Sequence, residues 1–138
     1  MAFSKQAFYE GAALHSLIRT NVNVKVHYAN PFYIVNDVVA VLFRYSTKNR
    51  SPWQFQFSIL DHALLETESN KSKVVVGLIC GADGIVALSY EKYAELKKSS
   101  DVSISISCYR NHGEHYEISG PNGVLDGKIS PSTWQKIL

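Results

Sequence analysis

The chain has 138 residues, 46% of them hydrophobic and 19% charged, with a formal net charge of +2. That length suits one compact domain and leaves no room for two ordinary ones, and the apolar content excludes a disordered chain. No apolar run approaches the roughly 18 residues that span a bilayer, and the opening Met-Ala-Phe-Ser-Lys lacks the apolar region of a secretory signal, so a cytoplasmic domain is the expectation.

Ser4 is a good N-cap, and Ala7, Gly11, Leu14 and Ile18 follow at the spacing of one helical face, which predicts a helix to about Arg19 with that face inward. Residues 21–35 read as extended, and Asn36-Asp37 as a hairpin turn because both tolerate positive φ. Val38 to Tyr45 is apolar on both faces and is expected to be a central strand, with Val39, Val41, Phe43 and Tyr45 on one side and Ala40, Leu42 and Arg44 on the other. Trp53-Gln-Phe-Gln-Phe57 alternates rings with amides, as a third, half-exposed strand does.

A short helix is expected over 59–67, then a hairpin made by Val74–Cys80 and Ile85–Leu88 about the turn Gly81-Ala-Asp-Gly84. Tyr90–Lys98 reads as a further helix. Val102, Ile104, Ile106 and Cys108 alternate with Ser103, Ser105 and Ser107 as a half-buried strand. A last hairpin turns at Gly120-Pro-Asn-Gly123, and Ser130-Pro131 opens a short terminal helix anchored by Trp134. The whole is a single α+β domain, 1–138, with a mostly antiparallel sheet and an N-terminal helix packed on it.

Charge is unevenly spread. Residues 1–60 hold six Lys/Arg against two Asp/Glu and also 11 of the 16 aromatics, whereas residues 61–138 are net acidic. A cationic, aromatic-rich half suits a nucleic-acid surface, where cations meet phosphates and rings stack on bases. Ordinary fluctuation and core-forming rings account for the same counts.

Glu10 falls between Leu14 and Leu17 on the helical wheel and is expected to face the sheet. A buried carboxylate requires a partner. The partner is a salt bridge to Arg44 or a metal or substrate site, unless Glu10 reaches solvent past the helix end.

The leading helix with its inward Glu10, three antiparallel strands whose middle member carries Arg44 and leads to Lys48, and a following helix and strand resemble the restriction-endonuclease-like core of PD-(D/E)XK nucleases, over approximately residues 4–90. The resemblance implies a Mg²⁺ site for phosphodiester cleavage, with Glu10 in the position of the helical Glu. The (D/E)-x-K position falls on Leu42-Phe43-Arg44 or Ser46-Thr47-Lys48, neither of which has the acid. His27, Asn30 and Tyr33 stand where an Asp is expected. One carboxylate makes a poor site for a hard cation. The implied function is therefore nucleic-acid binding on a nuclease-like core with an incomplete metal site: Arg44, Lys48, Asn49 and Arg50 on phosphate, Trp53 stacking, and Glu10 ordering those cations or holding residual Mg²⁺. A nuclease with displaced ligands is a further alternative.

Other constellations are thinner. His112-Gly-Glu-His115 offers two imidazoles and a carboxylate as zinc ligands, although a solvated turn explains them as well. Cys80 and Cys108 lie among strand-forming residues as reduced, inert thiols. The uncharged serine face of 102–108 is of a kind that edge strands usually avoid, which points to a homo-oligomer joined through this strand. A non-enzymatic protein- or nucleotide-binding protein built on such an oligomer is the alternative function.

Overall fold

A computed structural model describes residues 2–138. Helix α1 (Lys5–Thr20) starts where Ser4 Oγ accepts the Ala7 amide at 3.1 Å. Its inward face differs from the expected one. Glu10, Ala13 and Leu17 are buried, while Ala7, Gly11 and Ile18 face solvent. The small Ala13 lets the indole of Trp134 donate to its carbonyl at 2.9 Å, and that contact requires a face turned away from Gly11.

Residues 26–35 form a hairpin rather than one extended strand. Strands β1 (Val26–Ala29) and β2 (Phe32–Val35) pair antiparallel, with only Asn30-Pro31 between Ala29 and Phe32. Asn36 and Asp37 adopt the expected positive φ, 52° and 57°, and lead into β3 (Val39–Ser46). The three-stranded meander is thus β1-β2-β3, and the strand bearing Arg44 is its third member, not its middle one.

Strand β4 (Trp53–Phe57) leaves this sheet altogether. Helix α2 (Ile59–Ser69) follows, closed by a reciprocal cap in which Ser58 Oγ accepts the Asp61 amide and Asp61 accepts the Ser58 amide. The chain returns in β5 (Lys73–Cys80) parallel to β3, then turns into antiparallel β6 (Gly84–Ser89). Sheet order is β1-β2-β3-β5-β6, so β3 is central as expected. After helix α3 (Tyr90–Leu96), β7 (Ile104–Tyr109), β8 (Glu117–Gly120) and β9 (Gly123–Val124) build a second sheet in the order β4-β7-β8-β9. A terminal 3-10 turn spans Pro131–Lys136, with Trp134 fully buried.

Two apolar clusters follow from the two-residue period of β3 and β5. Ala40, Leu42, Val74, Val76 and Leu78 join Phe55, Phe57, Ile104, Ile106 and Ile118 between the sheets. Val39, Val41, Phe43, Val75 and Ile79 meet Ala13, Leu17, Trp134 and Ile137 on the far side. The layers are therefore α1 with the terminal turn, the first sheet, and the second sheet. No helix among the described residues is long and apolar enough to cross a membrane.

Because β4 and β8 occupy both edges of β7, this strand is not an edge. Its serines do reach the outer face, where Ser105 accepts from Gln56 Nε2 at 3.2 Å, but no further strand can add there, and oligomerisation by edge pairing at 102–108 is corrected.

Candidate nucleic-acid interface

Strands β3 and β5 are parallel and end together, Ser46 opposite Cys80. The segments that follow them, 47–52 and 81–83, therefore meet at one end of the first sheet. The Gly81 amide donates to Ser46 O at 2.9 Å. Gly81 has a φ of +58°, and a Cβ there would lie 2.3 Å from Lys48 O, so the glycine is what lets the two segments touch.

The predicted phosphate ligands divide. Lys48, Asn49 and Arg50 are exposed in the loop, and Lys48 Nζ donates to Pro52 O at 2.9 Å, which fixes the ammonium without neutralising it. Arg44 is spent elsewhere: its guanidinium pairs with Asp61 at 2.7 Å and lies 5.2 Å from the centre of the Phe57 ring. Burial works against ionisation of Asp61, but the Ser58 amide and Arg44 outweigh it and hold the carboxyl below its usual range.

Trp53 does not stack on anything from outside. It is 2% exposed, and its Nε1 donates to Lys48 O at 3.1 Å, so it pins the cationic loop from beneath. The alternation that made β4 a strand also turns this ring into the core. The exposed rings are others. Tyr45, at the end of β3, stacks on Tyr9 of α1 with centroids 5.2 Å apart and planes 14° from parallel, and it is 37% exposed.

Glu10 is buried at 8% exposure, as expected, but not beside Arg44. Arg44 follows Phe43 and so points to the opposite face of the sheet from α1. Glu10 instead accepts from Gln6 Nε2 at 2.9 Å and from the Tyr33 hydroxyl at 3.0 Å. Burial, then the bond and charge of Glu10, push Tyr33 up to about 12, so it remains a donor. His112 and His115 are exposed in the turn after β7. Neither they nor Glu10 belong to any group of three or more His, Cys, Asp or Glu side chains able to hold a metal among the described residues. One carboxylate with an amide and a hydroxyl around it does not fit Mg²⁺, and two exposed imidazoles without a third clustered ligand do not fit zinc.

Sequence reasoning missed two polar clusters. Asp83, in the 81–83 turn, accepts from Arg110 Nε and from Tyr116 OH, both at 2.7 Å, and Arg110 lies 4.5 Å from the centre of the Tyr116 ring. Burial opposes ionisation of Asp83, yet these bonds and the positive charges around it keep the carboxyl low. The cluster ties the turn to the second sheet. In the other, the buried His62 Nε2 faces Val102 O at 2.8 Å and must donate, so Nδ1 accepts from Tyr93 OH. The position of His62, three residues before buried Leu65 on one helical face, was the signal for it.

Both cysteines are free and buried, and burial pushes the Cys108 thiol well up, away from a nucleophile. No protein-family model, curated protein or solved structure matches the chain.

Proposed function

We propose that the domain is a nucleic-acid-binding module on a nuclease-like core, and that it binds without cleaving. The observation that carries this reading is the loop after β3, where Lys48 and Arg50 are exposed with no acidic partner among the described residues and follow Tyr45, the exposed member of the Tyr9–Tyr45 stack. Two cations and a ring platform supply what a phosphate chain and its bases require. The order of helix, three-stranded meander, helix and parallel strand supports the nuclease-like core, although β4 interrupts it before α2 and joins the other sheet. Glu10, held by neutral donors away from other carboxylates, is a structural residue in this reading.

The test is a gel and anisotropy titration of labelled DNA and RNA, single- and double-stranded, with and without Mg²⁺ or Mn²⁺, at two salt concentrations. Salt-sensitive binding without cleavage is expected. Cleavage that disappears in Glu10→Gln would restore the nuclease alternative, and absence of any binding at low salt would end the proposal.

A second reading, a non-enzymatic homo-oligomeric interaction protein, is favoured by one observation. Phe8 and Ile18 on α1, with Phe3 and Val22 just outside its two ends, are large apolar side chains left exposed. Self-association through α1 in scattering at micromolar concentration, unchanged by salt, is its signature, because apolar interfaces respond little to screening.

A further inference from the structure

Beside the tyrosine pair lies a cleft of about 360 Å³ between α1, the 81–84 turn and the terminal 3-10 turn. Tyr9 lines one part of it, Ala12 and Gly81 form walls without bulk, and Asp83 and Gln135 bring polar atoms to it. The volume lies at the low end of the roughly 300–1,000 Å³ of ligand pockets, which suits a single ring system better than a larger molecule.

Its walls are held in place. Asp83 is clamped by Arg110 and Tyr116. Gln135 Nε2 donates to Ser16 Oγ at 3.0 Å, which fixes the amide against α1. Asp83 is thus the one acidic side chain of a lining that is otherwise largely apolar. A flat heteroaromatic ring matches this chemistry, its faces meeting the apolar walls and an N–H donor meeting the carboxylate.

The cleft also adjoins the cationic loop. Gly81, one of its walls, is the residue over which Lys48 O passes, and Tyr9, another, is the stacking partner of Tyr45. A chain whose phosphates follow Lys48 and Arg50 therefore has a base-sized opening at its side. A duplex cannot use it, since its bases are stacked and their edges paired.

We infer that this site takes single-stranded nucleic acid, one unpaired base entering the cleft beside Tyr9 while flanking phosphates lie on Lys48 and Arg50. The inference rests on the nucleic-acid reading above. It adds the strandedness of the ligand and the residues that select it.

The experiment compares three labelled 12-mers by anisotropy at low salt: a mixed-sequence single strand, the same sequence as a duplex, and a single strand of abasic sites. Ala12→Phe fills the cleft from an exposed helix position, and Ala82→Phe fills it from the opposite, exposed turn. Far-UV circular dichroism confirms that each variant is folded, and the second stands in for the first if one is not. The single strand should bind at least fivefold more tightly than the duplex and the abasic strand. Filling the cleft should remove that advantage and leave duplex binding unchanged. Equal affinity for all three 12-mers, or a folded variant that keeps the preference, overturns the inference while the nucleic-acid reading stands. Absence of binding to all three overturns both.

Discussion

Lys48 and Arg50 differ from Arg44 and Arg110 in one respect that decides their use. The latter pair each have a carboxylate at 2.7 Å, whereas the loop pair have none. Each phosphate contact on a single strand contributes about 0.7 to the slope of log affinity against log salt. Wild type should therefore show a slope near −1.4, and Lys48→Ala or Arg50→Ala about half of it. A salt titration by anisotropy checks this, and an unchanged slope in both variants would remove the loop from the interface. Arg44→Ala should leave the slope alone and lower stability instead, by about 1–2 kcal/mol after allowance for partial exposure of the pair.

Glu10 poses the opposite problem, a buried carboxylate held only by neutral donors. Tyr33→Phe removes one donor and leaves the carboxylate underbonded, which should cost about 1–3 kcal/mol. Glu10→Gln keeps an acceptor and drops the charge, and should cost less than Tyr33→Phe. Urea midpoints of the two variants decide it, and the reverse order would mean that Glu10 has a cationic partner. That Glu10 faces inward was legible from its place beside Leu17, the one fully buried leucine of the helix. Its partner was not, because period assigns a face without saying which side chain of the sheet stands opposite.

At the scale of elements, alternation was a reliable guide to which residues form strands and a poor one to which strands are neighbours. The alternation of β4 and β7 was read correctly, with rings and aliphatics in and amides and serines out, but β7 begins only at Ile104 and leaves Val102 exposed, and Trp53, expected to stack outward, lies in the core. Yet β4 pairs with β7, about 50 residues later, and not with β3. Two-fold periodicity reports the faces of a strand, whereas neighbours depend on which edge is free when the loop 47–52 ends. The turn of α1 was misjudged for a related reason. It carries two apolar stripes, and only the terminal turn, which brings Trp134 to Ala13, selects between them.

A close approach within the first sheet gives a sharper test of its packing. A Cβ on Gly77 of β5 would lie 2.7 Å from Phe43 Cδ1 on the neighbouring strand, and Phe43 packs edge-on against Trp134 at 5.5 Å. Gly77→Ala must displace that ring and with it the docking of the terminal turn. The expected loss is about 1–3 kcal/mol, typical of overpacking. Chemical denaturation measures it, and Phe43→Leu in the Gly77→Ala background should recover part by making room. No recovery would place the strain elsewhere.

Taken whole, the molecule is two sheets clasped by ionic clips at partly buried positions. Arg44–Asp61 joins β3 to α2, and Asp83 with Arg110 and Tyr116 joins the β5–β6 turn to the second sheet. The carboxyls of both clips are held below their ordinary value near 3.8. A group whose folded value is depressed adds stability that is present above its unfolded value and is lost as pH falls through the folded one. The clips should thus contribute at neutral pH and fade below about pH 4, where the unfolded chain takes up protons more readily. Asp83→Asn isolates one of them. At pH 7 its urea midpoint should fall below that of wild type, and by pH 3 the gap should narrow, since acid removes from wild type what the substitution has already removed. A gap of constant size across that range would assign the role of Asp83 to hydrogen bonding alone. The same clip holds a wall of the cleft, so the proposed strand-selective site and the acid-sensitive joint between the sheets would depend on one side chain.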